Sequence, residues 1–424
     1  MGVNVPDTAL VDATREIVLE GFAPHYGRLS KRFPSSALWQ RMRDLGSQLW
    51  LDTGDMEAIT FRWTRQFMAL TTNNTLLNKE VQKGAYDMLV RRSADALRQV
   101  HADLDEQSLI HEIAFILNAY HALRLVERFD AFVSVELHTD LAQDVEASIG
   151  YGRRYHEICP DRFIIKVPLT PAGLIAAGRL SREGVPVNFT LGFSARQNLV
   201  ICEIARPQYC NVFLGRLNQV IKENDLGSGD QVGERACSAS QKVVRELRES
   251  MGISIQQIAA SIRSGQQILD LAGVDVLTMP PEAASGFVEM GLKPENVHAG
   301  IDRDFQPGIN ANVRPADYAI DTLWDVPRGL RAQAEYIGQQ DLQGLGPHAI
   351  EHDLESAGFG DVLPLWTQED RQQARQDGKI PKLNAWRDRL AHGEIGLDAL
   401  MTLHGLESFA KDQKAMDDRI HEHM

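Results

Sequence analysis

The segment DRFIIKVPLT, residues 161–170, sets a lysine, Lys166, inside an apolar run with the pattern of a strand buried on both faces. An ammonium group is costly to bury without a partner, so such a strand must have a use for it. A lysine held out of water loses its proton more readily and becomes an amine able to add to a carbonyl and form a Schiff base. That chemistry also needs groups that give and take protons at each stage. Neighbouring strand-like runs supply them. Asp52 ends LWLD, Asn73 ends MALTTN, Glu136 lies in AFVSVEL, and Asn188 and Thr190 alternate along VNFTLGF. Residues two apart on a strand share a face, which aims Asn188 and Thr190 to the same side. Asp52 and Glu136 are the candidate proton carriers.

These residues need a scaffold that brings several strand ends together. Eight runs read as strands, over residues 49–52, 68–73, 131–137, 162–168, 187–193, 209–215, 254–260 and 274–280. Amphipathic stretches such as DVEASIGYGRRYHEI and TPAGLIAAGRLSREG lie between them, the second with Thr170 as N-cap and Pro171 at the first helical position. Eight strands with interleaved helices predict an α/β fold, a (β/α)8 TIM barrel whose strand ends carry the chemistry at one mouth. No G-x-G-x-x-G follows any strand, which weakens a dinucleotide-binding sheet. Residues 1–48 read as an N-terminal helical extension broken at RFPSS, 49–290 as the barrel, and 291–424 as a helical C-terminal extension packing on it.

Composition narrows the partners. Acidic residues outnumber basic ones 58 to 44 and the net charge is −14, with no basic run to follow a phosphate backbone, so nucleic acid is not expected. The first residues lack the layout of a leader, and no apolar stretch is expected to reach the ~18 residues that a membrane span needs, so a cytoplasmic protein is expected. The four cysteines, Cys159, Cys202, Cys210 and Cys237, show neither metal-ligand nor disulfide spacing. One pattern points elsewhere. HAIEH, His348 to His352, fits an inverted zincin motif in the tail; the competing reading is a solvated helix face, and no metal is expected.

The stretches LWLDTGDMEAI, TTNNTLLNKE, the long run from VSVELHTD to FSARQ, NVFLGRLN and IAASIRSGQQILDLAGVDVLTMPP together resemble the transaldolase family over roughly residues 48–285. The I-K-[VL]-P, N-x-T-L-x-F-S and A-S-[FI]-R strands occur in the expected order. The resemblance implies a class I aldolase mechanism without metal or organic cofactor. Lys166 matches the Schiff-base lysine, Asp52 the acid/base at the C4 hydroxyl, and Glu136 with Thr190 the pair that places a water. Asn73 and Asn188 match amides that orient dihydroxyacetone hydroxyls, and Ser261, Arg263 and Arg216 match groups that grip a substrate phosphate. Related fructose 6-phosphate aldolases carry glutamine at position 136 and tyrosine at 213, whereas this chain has Glu136 and Phe213. Transfer between sugar phosphates, from a ketose such as sedoheptulose 7-phosphate or fructose 6-phosphate, is therefore implied ahead of simple cleavage. The alternatives are cleavage, an unusual sugar in a specialised biosynthetic pathway, and a silent barrel; the assembly is left open, a homodimer included. Two positions depart from the pattern. Asn74 stands where proline is usual, which predicts a looser turn beside Asn73, and Asn211 replaces a serine that commonly contacts substrate.

Overall fold

Short runs rich in β-branched and aromatic residues pair edge to edge until no edge remains. In the computed structural model, which describes residues 7–22, 27 and 32–424, eight parallel strands close into one barrel in sequence order. They are β1 (Gln48–Asp52), β2 (Phe67–Thr71), β3 (Phe132–Glu136), β4 (Phe163–Pro168), β5 (Val187–Thr190), β6 (Tyr209–Phe213), β7 (Gln256–Ala260) and β8 (Val276–Met279). Several are shorter than the sequence suggests. Leu191 takes a left-handed φ of 65°, which turns the chain off β5, and Leu214 opens the helix Leu214–Glu223 directly after β6.

Register sets the row that matters. Glu136 pairs with Lys166 and Lys166 with Asn188 across β3, β4 and β5, and paired residues of neighbouring strands point to the same face. Below that row the barrel is filled. Gln48 donates to Gln256 at 2.9 Å, the rings of Trp50 and Tyr209 meet edge-on at 4.8 Å, and the Thr71 and Thr278 hydroxyls lie 2.7 Å apart. The interior is a packed core that keeps water from reaching the row from beneath.

Helix starts are fixed at the same mouth. Asn73, Thr170, Ser194 and Ser264 each cap the helix after their strand by accepting a backbone N–H, from Leu76, Gly173, Gln197 and Gln267. Thr170 and Pro171 take the places expected of them. The helix Glu106–Phe129 has the length and hydropathy of a membrane span, which corrects the expectation that no apolar stretch reaches that length. Some 89% of its most apolar stretch is buried inside the protein. There its one deeply buried acid, Glu112, takes a two-pronged bond from Arg154 at 2.5 and 2.8 Å and further donors from Tyr151 and Thr14.

Of the stretch 1–48, residues 1–6, 23–26 and 28–31 lie outside the described residues; the rest includes the helices Thr8–Leu19 and Ala37–Asp44. After the helix Pro281–Glu289 the chain continues into Leu330–Gly338, Pro347–Ser356, Gln368–Asp377, Arg387–Ala391 and the 27-residue Leu397–His423. This last helix crosses the mouth. Asp398 near its start is fully buried and accepts from Arg196 at 2.8 and 2.7 Å and from Ser194 at 2.6 Å. Arg196 also reaches Asp361 at 2.6 Å. Removing one partner of such a buried pair leaves an uncompensated charge, so Asp398→Ala should destabilise docking of the final helix by about 3 kcal/mol or more. Hydrogen exchange over Leu397–His423 measures this, and a loss under about 1 kcal/mol would show that the anchor lies elsewhere.

Candidate active site

The C-terminal ends of the strands open into a cavity of about 420 Å³. Asp52, Asn73, Lys166, Asn188, Asn211, Phe213, Arg216, Ser261 and Arg263 all line it. Glu136 borders a second cavity of about 170 Å³, and Phe409 of the last helix borders both.

Lys166 is 3% exposed. Its ammonium donates to the Thr72 carbonyl at 3.2 Å, lies 3.5 Å from Glu136 Oε2 and sits 5.8 Å from the centre of the Phe409 ring. Burial raises the proton affinity of Glu136, opposed first by the charge of Lys166 and then by the N–H of Asn74. Burial raises Asp52 as well, again opposed first by Lys166 and then by the Thr71 hydroxyl, which donates to it at 2.8 Å. Two carboxylates thus share one buried cation, an arrangement that brings proton affinities toward the neutral range. Asp52 does not cap the helix Met56–Thr60; Asp55 does.

The amides form a chain of their own. Asn188 donates to Ser134 at 3.0 Å and accepts from Asn211 at 3.5 Å. Asn73 spends its carbonyl oxygen on the cap and keeps its N–H2 for other partners. Thr190 lies two residues beyond Asn188, buried, and its hydroxyl makes no hydrogen bond among the described residues. Asn74 corrects an expectation. Instead of loosening a turn it is buried as the first residue of Asn74–Val81, with its N–H 3.2 Å from Glu136 Oε2.

Cations gather on the opposite wall. Arg216 is 3% exposed, lies between the Phe213 and Phe409 rings at 5.6 and 5.4 Å, and has an Nη1 without a hydrogen-bond partner among the described residues. Burial, then the charge of Arg263, pushes its pKa down to about 10. Arg263 stands at the exposed rim. The buried Ser261 hydroxyl also has no hydrogen-bond partner among the described residues, and Ser261 holds a left-handed φ of 63°. Its carbonyl presses on Gly215, where a Cβ would stand 2.0 Å away, so only glycine lets β7 approach Arg216 this closely. Lys379, from the tail, completes the group and is pushed down to about 8 by burial and then by Arg216 and Arg263. A buried guanidinium fork beside a free hydroxyl and two rim cations suits a phosphate dianion. Sequence reasoning missed Lys379 and Phe409, which lie in aperiodic or amphipathic tail sequence far from any strand.

The HAIEH pattern falls on the helix Pro347–Ser356, with His348 largely in solvent and bonded to Glu351 at 2.8 Å. His352 is exposed. Ligand atoms of His111, His138 and Asp140 do lie within 4.8 Å of one another. They are already bonded among themselves, His111 Nε2 to Asp140 at 2.9 Å and the Asp140 backbone N–H to His138 Nδ1 at 3.1 Å.

The Transaldolase/Fructose-6-phosphate aldolase family profile matches residues 49–323. A transaldolase of Xanthomonas campestris pv. campestris (strain B100) is 32% identical over 297 residues, covering 67% of this chain and 88% of the relative. One from Xanthomonas oryzae pv. oryzae (strain PXO99A) is 30% identical over 275 residues, covering 63% and 81%. Another, from Protochlamydia amoebophila (strain UWE25), is 30% identical over 256 residues, covering 57% and 77%.

A pH dependence follows from Lys379. Its folded pKa of about 8 lies below the ordinary lysine value, so its charge is present below pH 8 and lost as pH rises through it. Affinity for inorganic phosphate, read by calorimetry, should fall between pH 7 and 9, and Lys379→Met should flatten that fall. An unchanged slope in the variant would remove Lys379 from the anion site.

Proposed function

The chain belongs to the Transaldolase/Fructose-6-phosphate aldolase family, and from that premise we propose that it transfers a dihydroxyacetone unit from a ketose phosphate to an aldose phosphate through an imine on Lys166. The observation that carries this reading is the buried ammonium of Lys166, 3.5 Å from Glu136, in a cavity that also holds Asp52 and Arg216.

Lys166 passes one proton to Glu136 and its free amine adds to C2 of the ketose, while a second nitrogen proton moves to the former carbonyl oxygen. Glu136 returns its proton to that hydroxyl, which leaves as water, and a protonated imine remains. Asp52 takes the proton of the C4 hydroxyl as the C3–C4 bond breaks. The bond's electrons move into the imine to give an enamine, and the shortened aldose phosphate departs. An incoming aldehyde is attacked by C3 of the enamine, Asp52 gives its proton to the new alkoxide, and water reverses the first steps. The raised proton affinities of Asp52 and Glu136 suit groups that must both take and return protons near neutrality. The phosphate would be held by Arg216, Arg263 and Lys379.

Phe213 favours transfer over cleavage. It is 8% exposed, packs edge-on against Phe193 at 5.7 Å, and offers no group that could protonate the enamine or hold a water beside it. The intermediate would persist until an acceptor arrives.

Borohydride added with fructose 6-phosphate should leave a covalent adduct on Lys166, detected by peptide mass. Lys166→Met should abolish adduct and transfer while keeping the circular dichroism of the parent; an adduct on another lysine would overturn the assignment. Phe213→Tyr should raise the release of free dihydroxyacetone relative to transfer, and an unaltered ratio would remove Phe213 from the choice between the two outcomes.

A further inference from the structure

The turn between β2 and its helix touches both partners of the central ion pair. The Thr72 carbonyl accepts from Lys166 at 3.2 Å, and the Asn74 N–H donates to Glu136 Oε2 at 3.2 Å, the same oxygen that faces Lys166. Thr72 is itself tied to β3, through its N–H and its hydroxyl to the Ser134 carbonyl at 3.2 and 3.0 Å. The Asn74 side chain, buried, donates to the Leu137 carbonyl at 3.4 Å, one residue past Glu136.

We infer that Asn74 is a positioning residue whose backbone N–H fixes the Glu136 carboxylate against Lys166. The consequence for turnover rests on the imine reading above; the hydrogen bond does not. The first backbone N–H groups of a helix have no partner inside it, so the N–H of Asn74 is available, and it stands at the positive end of the helix dipole. It meets the carboxylate where burial works against ionisation, and it pulls the other way. A proline here would have no N–H to give, so the residue that departs from the family's pattern supplies a donor which that pattern lacks. Glu136 is then held from two sides, since Asn118 donates to its backbone carbonyl at 2.8 Å.

Two substitutions separate the N–H from the side chain. Asn74→Pro removes the donor at a position where helices accept proline, and Asn73 before it is already extended, with φ −156° and ψ 169°, as a residue preceding proline must be. Asn74→Ala keeps the N–H and removes the amide. The first readout is the titration of Glu136 by carbon NMR of δ-labelled glutamate, assigned with Glu136→Gln. The second is the pH profile of kcat/KM for transfer. In Asn74→Pro the Glu136 titration and the acid limb of the profile should both move upward, with a roughly ten-fold loss of kcat/KM at neutral pH. In Asn74→Ala both should stay in place. Should the proline variant fail to fold, an α-hydroxy acid at position 74, which replaces only N–H by oxygen, serves the same comparison. An unmoved titration without the N–H, or an equal move in Asn74→Ala, overturns the inference. A parent protein that forms no borohydride adduct, yet shows the displaced titration on loss of the N–H, sinks the imine reading and leaves the positioning role standing.

Discussion

One buried ammonium faces two carboxylates at the mouth of a ring of strands, and the rest of the molecule is arranged around that imbalance. At 3.5 Å and an effective dielectric constant of about 20, Lys166 and Glu136 attract by roughly 5 kcal/mol. Each ion loses several kcal/mol of hydration on burial, so this attraction covers part of the cost of one pair and leaves little for Asp52. The result is that burial outweighs Lys166 at both acids, and each holds a proton more tightly than in water. At Asp52 the charges of Arg263 and Lys379 add to that of Lys166 without overturning the effect of burial.

Both the barrel and the tail enclose that site. From below, the Gln48–Gln256, Trp50–Tyr209 and Thr71–Thr278 contacts fill the interior. From above, the last helix lowers Phe409 over Lys166 and Arg216, held by Arg196 and Asp398 at its start and by Thr402, which donates to the Leu191 carbonyl at 2.9 Å. Further along, Thr75 donates to Asp412. The left-handed residue that ends β5 is therefore also where the tail is fastened. Barrel and tail contribute different groups to the same cavity, its buried lysine and Asp52 coming from strands and the cation Lys379 from the tail.

The half of the site that lies on strands was legible because strands have a period of 2 and barrels put their polar ends together. Lys166, Glu136 and Asn188 are polar residues at inward positions of apolar runs, and the register places them in one row. Lys379 and Phe409 carry no such signal: the first follows a glycine in a loop, the second is one apolar residue of an amphipathic helix. Asn74 shows a different limit. Its identity suggested lost rigidity, but the consequence lies in the backbone N–H that proline would have lacked, and which acceptor that N–H meets depends on the packing of β2 against β3. The HAIEH pattern shows the opposite case, with a spacing that suits a helix face and two exposed histidines, of which His348 is bonded to Glu351.

The same imbalance, with its sign reversed, governs the far wall of the cavity. Arg216, Arg263 and Lys379 repel one another, and burial with this repulsion pulls Arg216 to about 10 and Lys379 to about 8. At Arg216 the aromatic faces at 5.6 and 5.4 Å work against that, since a desolvated cation near a ring gains about 2 kcal/mol or more, yet its pKa still lies below the ordinary value. A dianion among these groups would relieve the repulsion, and Arg216 Nη1 and the Ser261 hydroxyl have no hydrogen-bond partner among the described residues to give up for it. Lys379 and Phe409 belong to the tail and Arg216 and Ser261 to the barrel, so this wall is built from both. The centre of the Phe409 ring stands 5.8 Å from the Lys166 ammonium and 5.4 Å from the Arg216 guanidinium, so whatever fixes the tail against this wall also fixes the cover over the lysine.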